Sequence, residues 1–300
     1  MGANTKAIKN RIRSVKNTKK ITKAMELVSA SKMRKAIEAS TSSRTYAEHA
    51  WNLLTNLANE KNLEHPLLNK PDSDKILLIA VASNRGLCGG YNVNLIKTVC
   101  EFIAQQKNKQ IELIIVGRRG EIIAKRTQSK VLASFIEFGD NLQSEEIGGL
   151  TNLVLSEFSQ GKYAQVLLAY TDFISSIQYE PKIKPILPIS KENVANLLAE
   201  QKKDEREVGG ARALLTFEPT QERVLELVLP RLTEVQIYQA ILEANASEHS
   251  ARMLAMKNAS DSASEIVQDL TMSYNRARQA SITQEISEIS GGAEALANQS

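Results

Sequence analysis

Two stretches of about sixty residues, one at each end of this 300-residue chain, contain neither glycine nor proline. After Gly2 the next residue of either type is Pro66, and after Pro230 it is Gly291. Both stretches are rich in residues that helices tolerate, such as Ala, Lys, Glu, Leu and Met. A continuous helix of that length would reach about 90 Å, whereas a compact globule of this chain length has a diameter on the order of 50 Å. The sequence therefore predicts two terminal helices that project from a smaller body.

The C-terminal stretch carries a coiled-coil repeat, read in alternating steps of three and four residues. The repeat passes through Val235, Tyr238, Leu242, Asn245, His249, Arg252, Met256, Ala259, Ala263, Ile266, Leu270, Ser273, Ala277, Ala280 and Gln284. Most of these positions are apolar, which favours packing against another helix.

The N-terminal stretch carries a narrower apolar stripe that drifts around the helix. Its members are Ile8, Ile12, Val15, Met25, Val28, Ile37, Trp51, Leu54 and Leu57. Because no other long helical segment is available, the two ends are predicted to pair as an antiparallel coiled coil.

The middle of the chain alternates between strand and helix patterns. Strands are predicted at Lys75–Ser83, Ile111–Gly117, Val131–Phe138 and Ala164–Thr171, with a proline-interrupted edge strand at Ile174–Ile189. This alternation is typical of an α/β domain with a parallel sheet. The predicted fold class is thus a Rossmann-like α/β base with a long helical coiled coil. The predicted parts are an N-terminal shaft helix at 1–65, the base at 66–230 with a charged surface excursion at 191–216, and a C-terminal shaft helix at 231–300.

Positive charge is concentrated at the N-terminus. Residues 1–35 hold eleven Lys or Arg and one acid, Glu26, a net charge of +10. The whole chain carries +4, so the remaining residues sum to −6. The electrostatic field of such concentrated positive charge attracts an acidic partner. The alternatives for this partner are nucleic acid, lipid headgroups and a carboxylate-rich protein surface.

The residues of an enzyme site are not found in the sequence. The loop Ser83–Asn92 follows a strand, as nucleotide loops do, but it fits neither the G-x-G-x-x-G pattern nor the phosphate-loop pattern. Cys88 has no histidine near it in sequence, so a buried thiol is favoured over a nucleophile. Two cysteines and three scattered histidines give no disulfide framework and no zinc motif. No cofactor or metal is expected.

Four segments resemble the gamma subunit of F-type ATP synthases. They are Ile21-TKAMELVSASKMRKA, Ser83-NRGLCGGYN, Phe217-EPTQERVLELVLPRL, and Ala246-SEHSARMLAMKNASDSA followed by Leu270-TMSYNRARQASITQEISEI. The resemblance covers essentially the whole chain. It implies a non-catalytic subunit of a proton-translocating complex, which rotates inside a ring of alpha and beta subunits. It also implies contacts with the epsilon subunit and the membrane c-ring, while ATP chemistry takes place on beta.

The resemblance also implies contact residues. Those expected to face the beta subunits are Lys19, Lys20, Lys23, Met25, Lys32, Arg34, Lys35, Arg252, Arg278, Gln279, Thr283, Glu285 and Glu288. The motif loop contributes Arg85, Gly86, Cys88, Gly89 and Asn92. This chain departs from the family in having Asn84 where an acid is common, and little effect is expected from it. The 191–216 region has no cysteine, which excludes a thiol switch but not a sterically acting segment.

Three alternatives stay open at this point. A basic coiled coil could bind nucleic acid, although residues 231–300 hold five Lys or Arg against nine acids. The α/β domain could be an enzyme, which a ligand at Ser83–Asn92 would reveal. The basic N-terminus could be a mitochondrial presequence, but the family motif begins near Ile8 and leaves no room for one. The expected location is therefore peripheral, on the cytoplasmic face of a bacterial inner membrane and without direct membrane insertion, with a mature organellar form as the alternative.

Overall fold

The computed structural model describes residues 2–58, 65–106, 108–136, 138–139, 142–189 and 221–297. Its elements in chain order are α1 (Gly2–Ala58), β1 (Lys75–Val81), α2 (Tyr91–Gln105), β2 (Gln110–Val116), α3 (Glu121–Thr127), β3 (Lys130–Phe135), α4 (Gly148–Ser159), β4 (Gln165–Phe173), β5 (Tyr179–Leu187) and α5 (Gln221–Ala297). The predicted excursion at 191–216 lies outside the described residues. The side chains of Trp51, Leu54 and Leu57 lie outside them as well.

The fold class is confirmed, because an α/β domain is combined with two long terminal helices of 57 and 77 residues. Helix α5 begins at Gln221, so Pro230 lies inside it instead of preceding it. Proline removes one backbone hydrogen bond from a helix interior. Here the buried side chains of Leu225, Leu229 and Leu232 hold this part of α5 on the domain core, and their burial offsets that loss.

The chain divides into two compact units. One consists of α1 up to Ser29 and α5 from Arg252 onward, and is called the helical unit below. The other runs from Ala30 to Ala251, contains the sheet, and is called the globular unit.

The globular unit is built on a five-stranded sheet in the order β3-β2-β1-β4-β5. Strands β1 to β4 are parallel. Strand β5 is antiparallel to β4, so the prediction of a purely parallel sheet is wrong at this edge. The reason is the connection: only Ile174–Gln178 link β4 to β5, and so short a turn can join only antiparallel strands. The predicted edge position of the proline-containing strand is confirmed.

Both faces of the sheet are covered, and the strand residues alternate between two cores. Leu77 and Ile79 of β1 point into a core that α4 and the first half of α5 complete. Their neighbours Ile76 and Leu78 point into a second core formed with α2 and α3. This period of two explains why β1 reads as a continuous apolar run.

One carboxylate is buried at the amino-terminal ends of the parallel strands. Glu112 of β2 accepts a hydrogen bond from Tyr163 Oη at 2.9 Å, and Lys75 and Lys130 Nζ each lie 3.3 Å from its oxygens. Burial alone would raise the pKa of Glu112, but the bonds from Tyr163, Lys130 and Lys75 outweigh it and lower the pKa below its ordinary value. The same burial and the bond to Glu112 raise the pKa of Tyr163.

The helical unit shows where the predicted seams were wrong. On the α1 segment of this unit, the buried residues with described side chains are Thr22 and Ser29, seven apart, while Val28 is 54% exposed. On α5 the buried positions run Arg252, Met256, Ser260, Ala263, whereas the predicted seam residue Ile266 is 45% exposed. Arg252, Met256 and Ala263 are therefore buried as predicted, and between them Ser260 is buried in place of Ala259. Small and hydroxyl-bearing residues line both faces, so apolarity alone could not locate them.

Candidate functional sites

The motif loop Ser83–Asn92 is closed by a hydrogen-bonded pair at its two ends. The Ser83 amide donates to Asn92 Oδ1 at 3.1 Å, and Asn92 Nδ2 donates to Ser83 Oγ at 2.7 Å. Ser83 Oγ in turn donates to the Arg85 carbonyl at 2.6 Å. Asn92 Nδ2 also lies 3.1 Å from Cys88 Sγ. These contacts satisfy the loop's own polar groups, which is what a structural turn requires.

The turn after β2 is locked against the first residues of this loop. Gly117 has φ +85°, and a Cβ placed on it would lie 2.1 Å from the Ala82 carbonyl oxygen. Asn84 Oδ1 accepts the Arg118 amide at 3.1 Å, and its Nδ2 lies 3.5 Å from the Phe138 carbonyl. Asn84 therefore touches the turns that follow both β2 and β3. A carboxylate at this position could accept the first bond but could not donate the second.

Cys88 is buried, as the sequence predicted, together with Tyr91 and Ala251 of α5. Tyr179 packs against this cluster, and burial raises the pKa of its hydroxyl. The loop is thus a packing surface for α5. The Cys88 thiol contacts Asn92 Nδ2 and, at 3.9 Å, the Arg85 carbonyl, both within the loop itself.

The basic residues of α1 are placed as follows. In the helical unit, the side chains of Lys19, Lys20 and Lys23 are exposed and Met25 is half-buried. Lys23 pairs with Glu26 at 2.9 Å, one helical turn away. In the globular unit, Arg34 and Lys35 are exposed and Lys32 is half-buried. Exposed ion pairs contribute little to folding stability. The exposed lysine and arginine side chains of α1 are therefore accessible to a partner at little expense to the stability of the fold.

The predicted contact residues of α5 divide into two groups. Arg252 is buried in the helical unit. The others are exposed near the end of the helix, namely Arg278, Gln279, Thr283, Glu285 and Glu288. Two of these carboxylates are held within the helix, because Ser281 Oγ donates to Glu285 at 3.3 Å and Gln284 Nε2 to Glu288 at 2.8 Å.

Comparisons with known proteins decide the family. The sequence profile of the ATP synthase family matches residues 4–296. The ATP synthase gamma chain of Roseiflexus sp. (strain RS-1) is 41% identical over 298 residues, which cover 98% of each chain. That of Heliobacterium modesticaldum is 40% identical over 290 residues, or 96% of this chain and 98% of the relative. The chain belongs to the ATP synthase gamma chain family.

Solved structures agree with the gamma chain fold. A chain of the central stalk and c-ring of Tetrahymena thermophila mitochondrial ATP synthase is 25% identical, with a TM-score of 0.57 over 80% of this chain and 99% of that chain. A chain of the Euglena gracilis mitochondrial ATP synthase structure containing OSCP, F1 and the c-ring is 19% identical, with a TM-score of 0.64 over 99% of this chain and 95% of that chain. Because the sequence identity to the Euglena gracilis chain is only 19%, this similarity supports the fold alone.

Within the described ranges, no helix is both long enough and apolar enough to cross a bilayer. Nor does that part of the chain hold a group of three or more His, Cys, Asp or Glu suited to a metal ion.

Sequence reasoning missed several residues of this gamma chain family member that hold its loops and helix together. Ser247 and Ser250 of α5 are buried, with hydroxyl groups bonded to β4 and to the β4–β5 turn, and Gly117 and Asn84 fix the motif loop. Only the Gly-Arg-Arg-Gly string directly after β2 signalled a special turn. Ser247 and Ser250 lie inside the family segment that begins at Ala246. The sequence does not indicate their contacts, because serine residues are common in helices.

Proposed function

We propose that this chain is the central-stalk gamma subunit of a proton-translocating F-type ATP synthase. It would rotate inside a ring of three alpha and three beta subunits and couple ion flow through the membrane c-ring to ATP synthesis or hydrolysis on beta. In this role it is not catalytic itself. It would lie at the cytoplasmic face of a bacterial inner membrane, held there by the c-ring and the epsilon subunit.

One observation carries the proposal: the helical unit exposes large apolar side chains beside the charged residues expected to contact beta. On α1, Ile21 and Leu27 are 60% and 61% exposed near Lys20 and Lys23. On α5, the exposed residues are Met272, Ile282, Ile286 and Ile289, which flank Arg278 and Gln279. Apolar side chains grouped this way favour a protein partner, and the basic charge favours an acidic one.

The mechanism follows from the unequal surfaces of the two helical segments. The α1 segment of the helical unit is basic, with eight Lys or Arg and one acid in residues 2–29, while residues 231–300 are acidic overall. A beta subunit that meets one face would be stabilised in a different conformation from a beta subunit that meets another. Rotation would then exchange the three site affinities through differential contacts.

Co-purification tests the assignment. Co-expression of the tagged chain with the alpha and beta subunits of its complex should yield one assembly that hydrolyses ATP. The purified chain alone should not hydrolyse ATP. ATP hydrolysis by the chain alone, or retention on heparin with a steep salt dependence and no retention of alpha and beta, would contradict the assignment.

A further inference from the structure

Helix α5 is attached to β4 and to the β4–β5 turn by two serine hydroxyl groups one helical turn apart. Ser247 Oγ donates to the Thr171 carbonyl of β4 at 3.1 Å. Ser250 Oγ donates to the Ser176 carbonyl, in the turn between β4 and β5, at 2.5 Å. Both serine residues are completely buried. Positions three apart share one helix face, so the two bonds hold the same side of α5.

The sheet leaves the Thr171 carbonyl available for this contact. Across β5, Thr171 lies opposite Pro181, which has no N–H to donate. On the other side of β4, the register with β1 ends at Ala80 and Ala169. The hydroxyl of Ser247 therefore supplies a donor that neither neighbouring strand provides there.

The β4–β5 turn leaves the Ser176 carbonyl available in a similar way. The backbone bonds that close this turn join Ile174, Ser175 and Gln178. The acceptors in these bonds are the Ser175 and Gln178 carbonyls, and the Ser176 carbonyl between them accepts from Ser250.

A packed contact completes the attachment immediately after the serines. Ala251 is buried against Cys88 and Tyr91 of the motif loop, with Tyr179 of β5 beside them. Ala251 is also the last residue of the globular unit along α5, and the helical unit begins at Arg252. The apolar core contacts of α5 end earlier, at Ala244. The segment 247–251 is therefore the last attachment of α5 within the globular unit.

We propose that Ser247, Ser250 and the Cys88–Tyr91 loop surface form a torque clamp, which fixes the rotational orientation of α5 on the globular unit. This inference rests on the proposed rotary function. Apolar packing is non-directional, whereas a hydrogen bond weakens steeply as its angle departs from linear. Two bonds on one face therefore add a directional restraint on rotation of α5 about its own axis to the packing of its apolar side chains. The serines act as positioning residues, since they orient a helix whose other residues meet the beta subunits.

The test uses the assembled complex with its ring immobilised and a rod bound to the globular unit. In the variant that combines Ser247→Ala and Ser250→Ala, the angular variance of the rod during catalytic pauses should increase. Amide exchange at residues 246–252 should rise by about tenfold or more, since each buried hydrogen bond contributes about 1 kcal/mol. Rotation at low load should persist, because the apolar contacts of α5 are intact.

Two controls separate stiffness from stability. Ser264→Ala removes a hydroxyl that bonds only within α5, to the Ser260 carbonyl at 2.9 Å, and should leave the variance unchanged. Ile123→Val trims the core on the opposite sheet face and lowers stability, yet it should also leave the variance unchanged. If the double variant does not fold, Ser250→Ala alone serves, because its acceptor lies in an exposed turn.

Unchanged variance in the clamp variant, or an equal increase in the Ile123→Val variant, would overturn the clamp. A wrong functional assignment would give a different result. In that case the wild-type chain would not assemble with the alpha and beta subunits, or the rod on the assembled wild-type complex would not rotate.

Discussion

The glycine at position 117 offers a sharp test of how the motif loop is held. Gly117 has φ +85°, and a Cβ there would lie 2.1 Å from the Ala82 carbonyl oxygen and 2.8 Å from its carbon. For Gly117→Ala, the backbone at φ +85° and ψ +138° lies outside the left-handed helical region, in a conformation that residues other than glycine rarely adopt, which costs about 1–3 kcal/mol. The displaced backbone adds about 1–3 kcal/mol, and the lower entropy of the unfolded alanine chain returns about 0.4–1 kcal/mol. We expect a net loss of about 1–5 kcal/mol, centred near about 3 kcal/mol.

Two other glycines separate these contributions. Gly161 also has a positive φ, +74°, but nothing lies within 4 Å of a Cβ placed there, so Gly161→Ala tests the backbone strain alone. We expect it to cost about 1 kcal/mol. Gly148 is the first residue of α4, with open space and no positive φ. Gly148→Ala should therefore be neutral or should stabilise by up to about 1 kcal/mol.

Urea unfolding of the three variants, with wild type as the reference, measures the order. The account requires Gly117→Ala to be the least stable and Gly148→Ala the most stable. Equal losses at Gly117 and Gly161 would show that the Ala82 carbonyl moves aside without cost. The close approach would then not hold the motif loop.

Three further predictions concern single side chains. Glu112→Gln should destabilise by about 1 kcal/mol at neutral pH. Folding lowers the pKa of Glu112 from its ordinary value of 4.5. The ionised carboxylate therefore stabilises the fold above pH 4.5, and this stabilisation is lost as the pH falls through the lower pKa of the folded state. In urea titrations, the difference in stability between Glu112→Gln and wild type should shrink below pH 4.5. Thr171→Val should be neutral or stabilising by up to about 1 kcal/mol in thermal unfolding, because the buried Thr171 hydroxyl has no hydrogen-bond partner among the residues that the structure describes. Lys20→Ala and Arg278→Ala should impair coupling or assembly. Because both side chains are exposed, the melting temperature should stay within about 2 °C of wild type. As a control, Lys97→Ala, which removes an exposed lysine of α2, should change neither coupling nor melting temperature.

The long helices and the sheet could be predicted because their signals are strong and local. The absence of glycine and proline marked both terminal helices, and the apolar run of β1 marked a central strand. The predicted start of α5 after Pro230 is wrong, because the buried side chains of Leu225 and Leu229 keep the helix intact across the proline. Such a tertiary effect leaves no trace in local propensity.

The helix seam and the attachment of α5 could not be predicted, for a different reason. Thr22, Ser29 and Ser260 are buried although hydropathy assigns them to the surface. The acceptors of Ser247 and Ser250 lie more than seventy residues away along the chain. The role of Thr171 depends on the register that places Pro181 opposite it. These relations exist only once the strands are paired.

Single-complex rotation tests the central claim most directly. With the alpha and beta ring immobilised and a rod bound to the globular unit of this chain, addition of ATP should produce stepwise rotation in one direction, with three steps per turn. Arg278→Ala should lower the torque without stopping assembly. ATP hydrolysis at the full rate by a complex whose rod stays still would contradict the account.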